Sequence, residues 1–484
     1  MSRDSRLSAR FRRAIGIRRG RWGRPLTVGA TIGTLFIILL VVPGWLNSPR
    51  GAQSVPGLLT IGAPAGQVNS SFFGVNVHVV GYGAISLPTQ VSGTPFVSFR
   101  FSPQGEATDQ IHSITYSQSG VGSPVFEESD SAFVSGCEAL GCRATMMVPA
   151  EIDNPAEAAA TVAYVEQNLS FHPQYWAIGN EPQQWVHWGI PWSQWRPSDD
   201  SSPSPMEYAL EVQRYVAAIR SVDPSARVIG IESVIGGTTD AAWFRDVVTV
   251  DGPNLSAVAY HAYPGGNGSV SGTPANFDSS LTNPLAFPLN YPPTETIVRS
   301  ACPPCHILVF VDEFNSALGG NFSGLMTSYA EVPFVAAAYA TALEENAQRV
   351  LFFDLEDLNG QMPYGLLTMG APARPAFQLF AGIFAHLALG TVLNASVQGG
   401  PNGVATVFSE NTASMSLLVV NTNLTAGLSL ALPGGIANMT HPGTPYYWTP
   451  ASAGPVAGPP VVDPAALTWD VPPQAIFLLV WSFG

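Results

Sequence analysis

Residues 143–182 read "RATMMVPAEIDNPAEAAATVAYVEQNLSFHPQYWAIGNEP". Two apolar runs, 143–149 and 174–180, flank a stretch whose apolar residues recur with a helical period. Both runs are near-continuous rather than alternating, as strands buried on both faces must be. Between them Asn154 offers a side-chain cap and Pro155 a pre-set φ at the first helical position, so a helix is expected over 154–169. Strand, helix and second buried strand is the unit from which parallel sheets are built.

The unit continues in both directions. "FFGVNVHV" (72–79) and "PFVSFRF" (95–101) precede it as strand candidates. "RVIGIES" (227–233), "AVAYHAY" (257–263), "HILVFVDE" (306–313) and "RVLFFDL" (349–355) follow it. Helical patterns recur at "PMEYALEVQRYVAAIRSV", "AAWFRDVVTV", "EVPFVAAAYATALEENA" and "RPAFQLFAGIFAHLAL". Eight strands alternating with helices over 67–390 imply an α/β fold, a (β/α)8 barrel. A doubly wound open sheet is the rival, but no Gly-rich phosphate loop follows the first strand. The Pro/Gly/Ser-rich region 264–295 reads as a long loop.

From residue 391 to 484 the texture changes to short strand-like runs broken by Gly, Asn and Pro, without helical period. That pattern predicts a small antiparallel β-sandwich. A stalk over 46–66 contains "LLTIGAP" (58–64), which could add a strand to it.

The amino-terminal region is of another kind. The chain has no lysine, and nine of its twenty arginines precede residue 25. A basic tail (1–24) is followed by an uncharged, strongly apolar segment (25–45), long enough to span a bilayer with the amino terminus cytoplasmic. An uncleaved signal anchor, and hence a cell-membrane protein with an extracellular catalytic domain, is the expectation; secretion after signal cleavage is the alternative. Eight N-x-S/T sequons and four cysteines in two close pairs, Cys137/Cys142 and Cys302/Cys305, suit an oxidising exterior and local disulfides. Cys302-Pro-Pro-Cys305 has zinc-ligand spacing, but each pair precedes a different barrel strand at the end away from the active-site face. Beyond residue 25, eleven Arg stand against thirty-three acidic residues, which disfavours nucleic acid as a partner. So few bases gain little charge in acid, and an acidic working environment is expected.

In a barrel of this kind the active site forms where the strands end. The fourth strand ends in Asn180-Glu181 and the seventh in Asp312-Glu313-Phe314-Asn315. The sixth carries His261 and Tyr263, the second Arg100, and the first Asn76 and His78. Strand alternation sends Asp312 and Glu313 to opposite faces, one into the mouth and one toward the helices. Two carboxylates facing one cleft from separate strands are what glycoside hydrolysis requires, one protonated and one ionised. Four tryptophans, Trp185, Trp188, Trp192 and Trp195, follow Glu181 directly. They either pack a folded loop or present indole faces to sugar rings.

"WAIGNEP" followed 132 positions later by "VFVDEFN" resembles the paired signature of clan A glycoside hydrolases. The resemblance covers about residues 70–390 and extends to the heparanase/β-glucuronidase-like, xylosidase and arabinofuranosidase branches, which also carry a carboxyl-terminal β-domain. It implies that Glu181 is the general acid/base, Glu313 the nucleophile, and Asn180 a partner of the sugar 2-hydroxyl. "YHAYP" resembles the sixth-strand element whose tyrosine, here Tyr263, contacts the nucleophile. One departure is at the eighth strand, where much of the clan offers a tryptophan under the reacting sugar and this chain reads "LFFDLED", leaving Phe353 or Asp354 in its place.

The reading that follows is a retaining hydrolase of β-glycosidic bonds acting on oligo- or polysaccharides, with the two glutamates about 5–5.5 Å apart. It implies no metal and no cofactor. His261, His78 and Arg100 either contact substrate or support the carboxylates. The alternatives are a carbohydrate-binding surface protein that has lost turnover and a structural cell-envelope protein. Sugar specificity is not legible; the scarcity of bases near the mouth, Arg100 and Arg196 being the candidates, does not favour a glucuronide.

Overall fold

The computed structural model describes residues 53–483 except 68, 78–90, 92, 102–123, 149, 151–153, 186–202, 265–289, 317–325, 357–363, 369–371, 434–441 and 462–467. The expected anchor at 25–45 therefore lies outside the described residues, as do His78, Trp188, Trp192, Trp195 and Arg196. Among the described residues no helix is long and apolar enough to cross a membrane.

Eight parallel strands close into a barrel: β2 (Phe73–Val77), β3 (Ser98–Phe101), β4 (Arg143–Val148), β5 (Tyr175–Ile178), β6 (Val228–Ser233), β7 (Ala257–Ala262), β8 (Leu308–Phe314) and β9 (Val350–Phe352). Every strand residue except Arg143 and Leu308 is buried. One face meets the barrel interior and the other the helices, which is why the runs carry no polar alternation.

The helices around it are α1 (Pro124–Leu140), α2 (Pro155–Ala163), α3 (Pro205–Val222), α4 (Ala241–Asp251), α5 (Tyr291–Ala301), α6 (Glu331–Glu344) and α7 (Pro375–Gly382). Asn154 caps α2 by accepting from the Glu157 N–H, with Pro155 in the first turn. Ser204 and Glu207 form a reciprocal capping box on α3. Helix α2 passes into one π-turn over Tyr164–Asn168, and α7 is cut short by a 3-10 turn at Phe384–His386. Helix α5 begins at Tyr291, inside the region expected to be loop; its Pro292-Pro293 pair opens the helix rather than breaking it.

Cys137–Cys142 joins the end of α1 to the start of β4, and Cys302–Cys305 joins the end of α5 to the approach to β8. Both bridges sit at the ends opposite the strand termini that carry Glu181 and Glu313.

The carboxyl-terminal region is the expected β-domain, with its strands hydrogen-bonded into one continuous sheet that curls around its own core. It is one nine-stranded sheet in the order β15-β14-β17-β12-β11-β10-β1-β13-β16. Its members are β1 (Ser54–Gln67), β10 (Thr391–Gly399), β11 (Val404–Glu410), β12 (Ser414–Asn421), β13 (Gly427–Ala431), β14 (Gly443–Trp448), β15 (Val456–Ala457), β16 (Thr468–Val471) and β17 (Ala475–Ser482). Strand β1, ahead of the barrel in sequence, pairs antiparallel with β10 and parallel with β13. Along β12 and β17, Met415, Leu417, Val419, Phe477, Leu479 and Trp481 face the sheet's own core. Leu418, Val420, Ile476 and Leu478 alternate with them and join the barrel's outer core. A strand apolar on both faces thus reflects two hydrophobic contacts, the sheet's own core on one side and the barrel's outer core on the other.

Candidate active site

Glu181 is placed by a turn that the local sequence enforces. Strand β5 ends at Ile178, and Gly179 takes a φ of +62°, where a Cβ would come within 2.9 Å of the Ala150 Cβ. Glu181 itself is left-handed at φ +41°, a costly conformation for a non-glycine residue. Several contacts hold it there. The Glu181 N–H donates to the Glu232 carbonyl at 3.0 Å, the Trp185 indole N–H donates to the Asn180 carbonyl at 2.7 Å, and Pro182 opens a 3-10 turn. Gln183 in that turn donates to Ser233 and to Asp240. Asp240 is buried, and burial raises its carboxyl above the usual range; the nearby Glu181 charge adds to the rise, against donors from Ser233 and the Ile235 N–H.

Glu313 owes its direction to a β-bulge. Tyr260 pairs with Val311 but His261 pairs with Glu313, so β8 holds one more residue than β7 across that interval; the β8–β9 pairing shifts at the same place. The consequence overturns the expected alternation. Asp312 and Glu313 both face the barrel interior, and Phe314 turns outward to pack edge-on against Tyr339 of α6.

The two glutamates meet through their neighbours. A carboxylate oxygen of Glu181, one of Glu313 and a ring nitrogen of His261 all lie within 4.8 Å of one another. His261 Nδ1 is 2.5 Å from Glu181 Oε1 and 3.3 Å from Glu313 Oε2. The Tyr263 hydroxyl donates to Glu313 Oε2 at 2.6 Å, and Arg100 Nη1 donates to Glu313 Oε1 at 2.8 Å. A hydroxyl and a guanidinium on opposite oxygens stabilise negative charge on Glu313. Glu181 keeps 15% of its side chain exposed against 4% for Glu313, so it stands nearer solvent.

Arg100 is the hub of this arrangement. It is 2% exposed and also donates to Glu232 through Nε and Nη2, to Asn76 Oδ1 at 2.7 Å and to Asn180 Oδ1 at 2.9 Å. Asn76 in turn donates to the Asp312 and Phe352 carbonyls. Of the residues expected to contact substrate, Arg100 and His261 are buried and bonded to the carboxylates, and Asn76 is buried and reaches them through Arg100.

Trp185 is a second correction: it is fully buried, edge-on to Tyr208 on α3, and it braces the turn instead of lining a cleft. At the eighth strand Phe353, buried, lies edge-on to Tyr263, with ring centroids 6.1 Å apart. Glu232 was not singled out by sequence reasoning, yet it holds Arg100. Its only signal was a carboxylate closing the apolar run "VIGIES".

Two three-membered groups, Glu181/His261/Glu313 and Glu232/His261/Asp312, have ligand atoms close enough for a metal ion. Arg100 is bonded to one carboxylate of each group, Glu313 in the first and Glu232 in the second.

No family model matches the sequence, and no curated protein matches it significantly. Solved structures do match in fold. A bifunctional glucanase-xylanase from a metagenome library superposes with a TM-score of 0.63 at 14% identity, covering 88% of this chain and 99% of that one. A family 44 xyloglucanase from Paenibacillus polymyxa gives 0.62 at 11%, covering 89% and 100%. A family 51 α-L-arabinofuranosidase from Bifidobacterium longum gives 0.62 at 15%, covering 89% and 99%. The fold is similar to that of these glycoside hydrolases over most of both chains.

Proposed function

We propose that this protein is a retaining glycoside hydrolase, held at the membrane by its amino-terminal segment with the barrel outside the cell. The observation that carries the reading is the placement of Glu181 and Glu313 oxygens within 4.8 Å of each other at the ends of β5 and β8. That gap fits direct attack by a carboxylate; an inverting pair stands farther apart to admit a water.

In the first step a Glu313 oxygen attacks the anomeric carbon. The glycosidic C–O bond breaks and Glu181 gives its proton to the departing oxygen. Tyr263 and Arg100 hold Glu313 for that attack. In the second step Glu181, now ionised, takes a proton from water, whose oxygen displaces Glu313 from the sugar. His261, between the two carboxyls, fixes their separation through both steps. The fold neighbours are named for glucan, xylan, xyloglucan and arabinofuranoside substrates, and an oligo- or polysaccharide with β-linked neutral sugars is the substrate class we infer.

The test is hydrolysis of a panel of aryl β-glycosides and neutral polysaccharides by the full-length protein, with the first-formed anomer followed by proton NMR. Retention is expected. An inverted product would remove the covalent step, and glycan binding without any turnover would favour a non-catalytic carbohydrate-binding protein.

A further inference from the structure

Arg100 is in direct contact with two carboxylates, Glu232 and Glu313, yet a third, Asp312, is buried in the same place. Asp312 is wholly inaccessible, and neither of its side-chain oxygens receives a hydrogen bond. Its approaches to Arg100 Nε (3.9 Å) and His261 Nε2 (3.6 Å) are too long to be hydrogen bonds. The other charged or titratable groups facing it are Glu232 from β6, Tyr260 from β7 and Arg349 before β9, whose Nη1 is engaged by Thr145 Oγ1. An ionised carboxylate with no donor, cut off from water and beside two other carboxylates, is among the costliest groups a core can hold.

We infer that Asp312 is a neutral carboxylic acid whose O–H is given to Glu232, making it the positioning residue that keeps Glu232 on Arg100 and, through Arg100, holds Glu313 in attack geometry. Glu232, Asp312 and His261 present atoms within 4.8 Å of one another, and the Asp312 and Glu232 side chains form a hydrogen-bonded pair. Burial, and then the Glu232 charge, push the Asp312 carboxyl well above its ordinary range, against a smaller pull from Arg100. The β8 bulge then has a second use: it brings the nucleophile and the acid that steadies its support onto one side of one strand. The inference rests on the proposed hydrolase for its kinetic consequence, but the proton on Asp312 is a property of the resting protein.

Two measurements on the full-length protein test it. The infrared difference spectrum of wild type minus Asp312→Asn at neutral pH should show a protonated-carboxyl carbonyl band belonging to Asp312. Absence of that band overturns the inference, whether or not any glycoside is cleaved. In kinetics, Asp312→Ala should lose about 10²-fold in kcat through misplacement of Glu313. Asp312→Asn, neutral and still a donor, should recover most of that loss without moving either limb of the pH–rate profile. A limb displaced by about one unit in Asp312→Asn would show that a charge had been removed, and would equally overturn it.

Discussion

Below Asp312 the barrel is filled by Met147, Tyr175, Ala177, Ile229, Ala257, Ala259 and Phe310, a compact apolar layer. Above it, on β2, β3, β6, β7 and β8, stand Asn76, Arg100, Glu232, His261 and Glu313. Where the layers meet, Arg349 lies over the Phe310 ring at 4.0 Å with one nitrogen on Thr145 Oγ1. The lower layer needs only volume and alternation. The upper layer needs charged groups brought onto one another, and it departs from regular pairing to place them: the β6–β7 and β7–β8 ladders both slip, at Glu232 and at Asp312–Glu313. Packing is tolerant and charge networks are not, so irregular backbone gathers at the chemical end.

The sharpest way to separate the halves is to remove the carboxylates. Glu313→Ala is expected to lose about 10⁴-fold or more in kcat while the protein still folds. Glu181→Gln is expected to lose about 10²–10⁴-fold, less for aryl glycosides whose leaving group needs no proton. Near-normal turnover in Glu313→Ala would strip the upper layer of its assigned chemistry. In the lower layer the signs reverse: Met147→Ala should cost about 2–5 kcal/mol of stability while the surviving folded protein turns over at nearly the wild-type rate. If Met147→Ala instead spared stability and abolished turnover, the division drawn here would be wrong.

The same contrast explains what could be read from the residues. All eight barrel strands were legible because their apolar runs had to be long and uninterrupted, and Asn154-Pro155 announced the helix that follows β4. That carboxylates end the fourth and seventh strands was legible from "GNEP" and "DEFN", but the choice of Glu313 over Asp312 came from the resemblance to clan A glycoside hydrolases. The β8 bulge was not legible. Nothing in "VFVDEFN" marks an extra residue, and strict alternation wrongly separated Asp312 from Glu313. Nor was the burial of Trp185, because an indole just after the Glu181 turn reads the same in sequence whether it faces a sugar or Tyr208. Strand β1 lay too far in sequence from β10 and β13 for any local pattern to assign its partners.

The smallest expected effect concerns acids outside the Glu181–Glu313 cluster. Asp130 on α1 is buried with neither oxygen hydrogen-bonded, and burial alone lifts its carboxyl to about 8. Burial lifts Glu331 to about 8 despite the Ser316 hydroxyl, and burial also lifts Glu344 and Glu345 to about 7. An unfolded chain would release these protons near pH 4. Between that point and pH 7–8 the folded state binds more protons than the unfolded one, so stability falls as pH rises across this window and is fully present only below it. His386 acts in the opposite sense, since burial lowers its proton affinity and its contribution is lost in acid, but it is one group against four. The melting temperature should therefore be higher at pH 5 than at pH 8, in keeping with the acidic setting expected from the low basic content. Asp130→Asn, neutral at every pH, should narrow that difference by raising the pH 8 value. A melting temperature that climbs from pH 5 to pH 8, or an Asp130→Asn curve parallel to the wild type, would show that the acid is paired in solution.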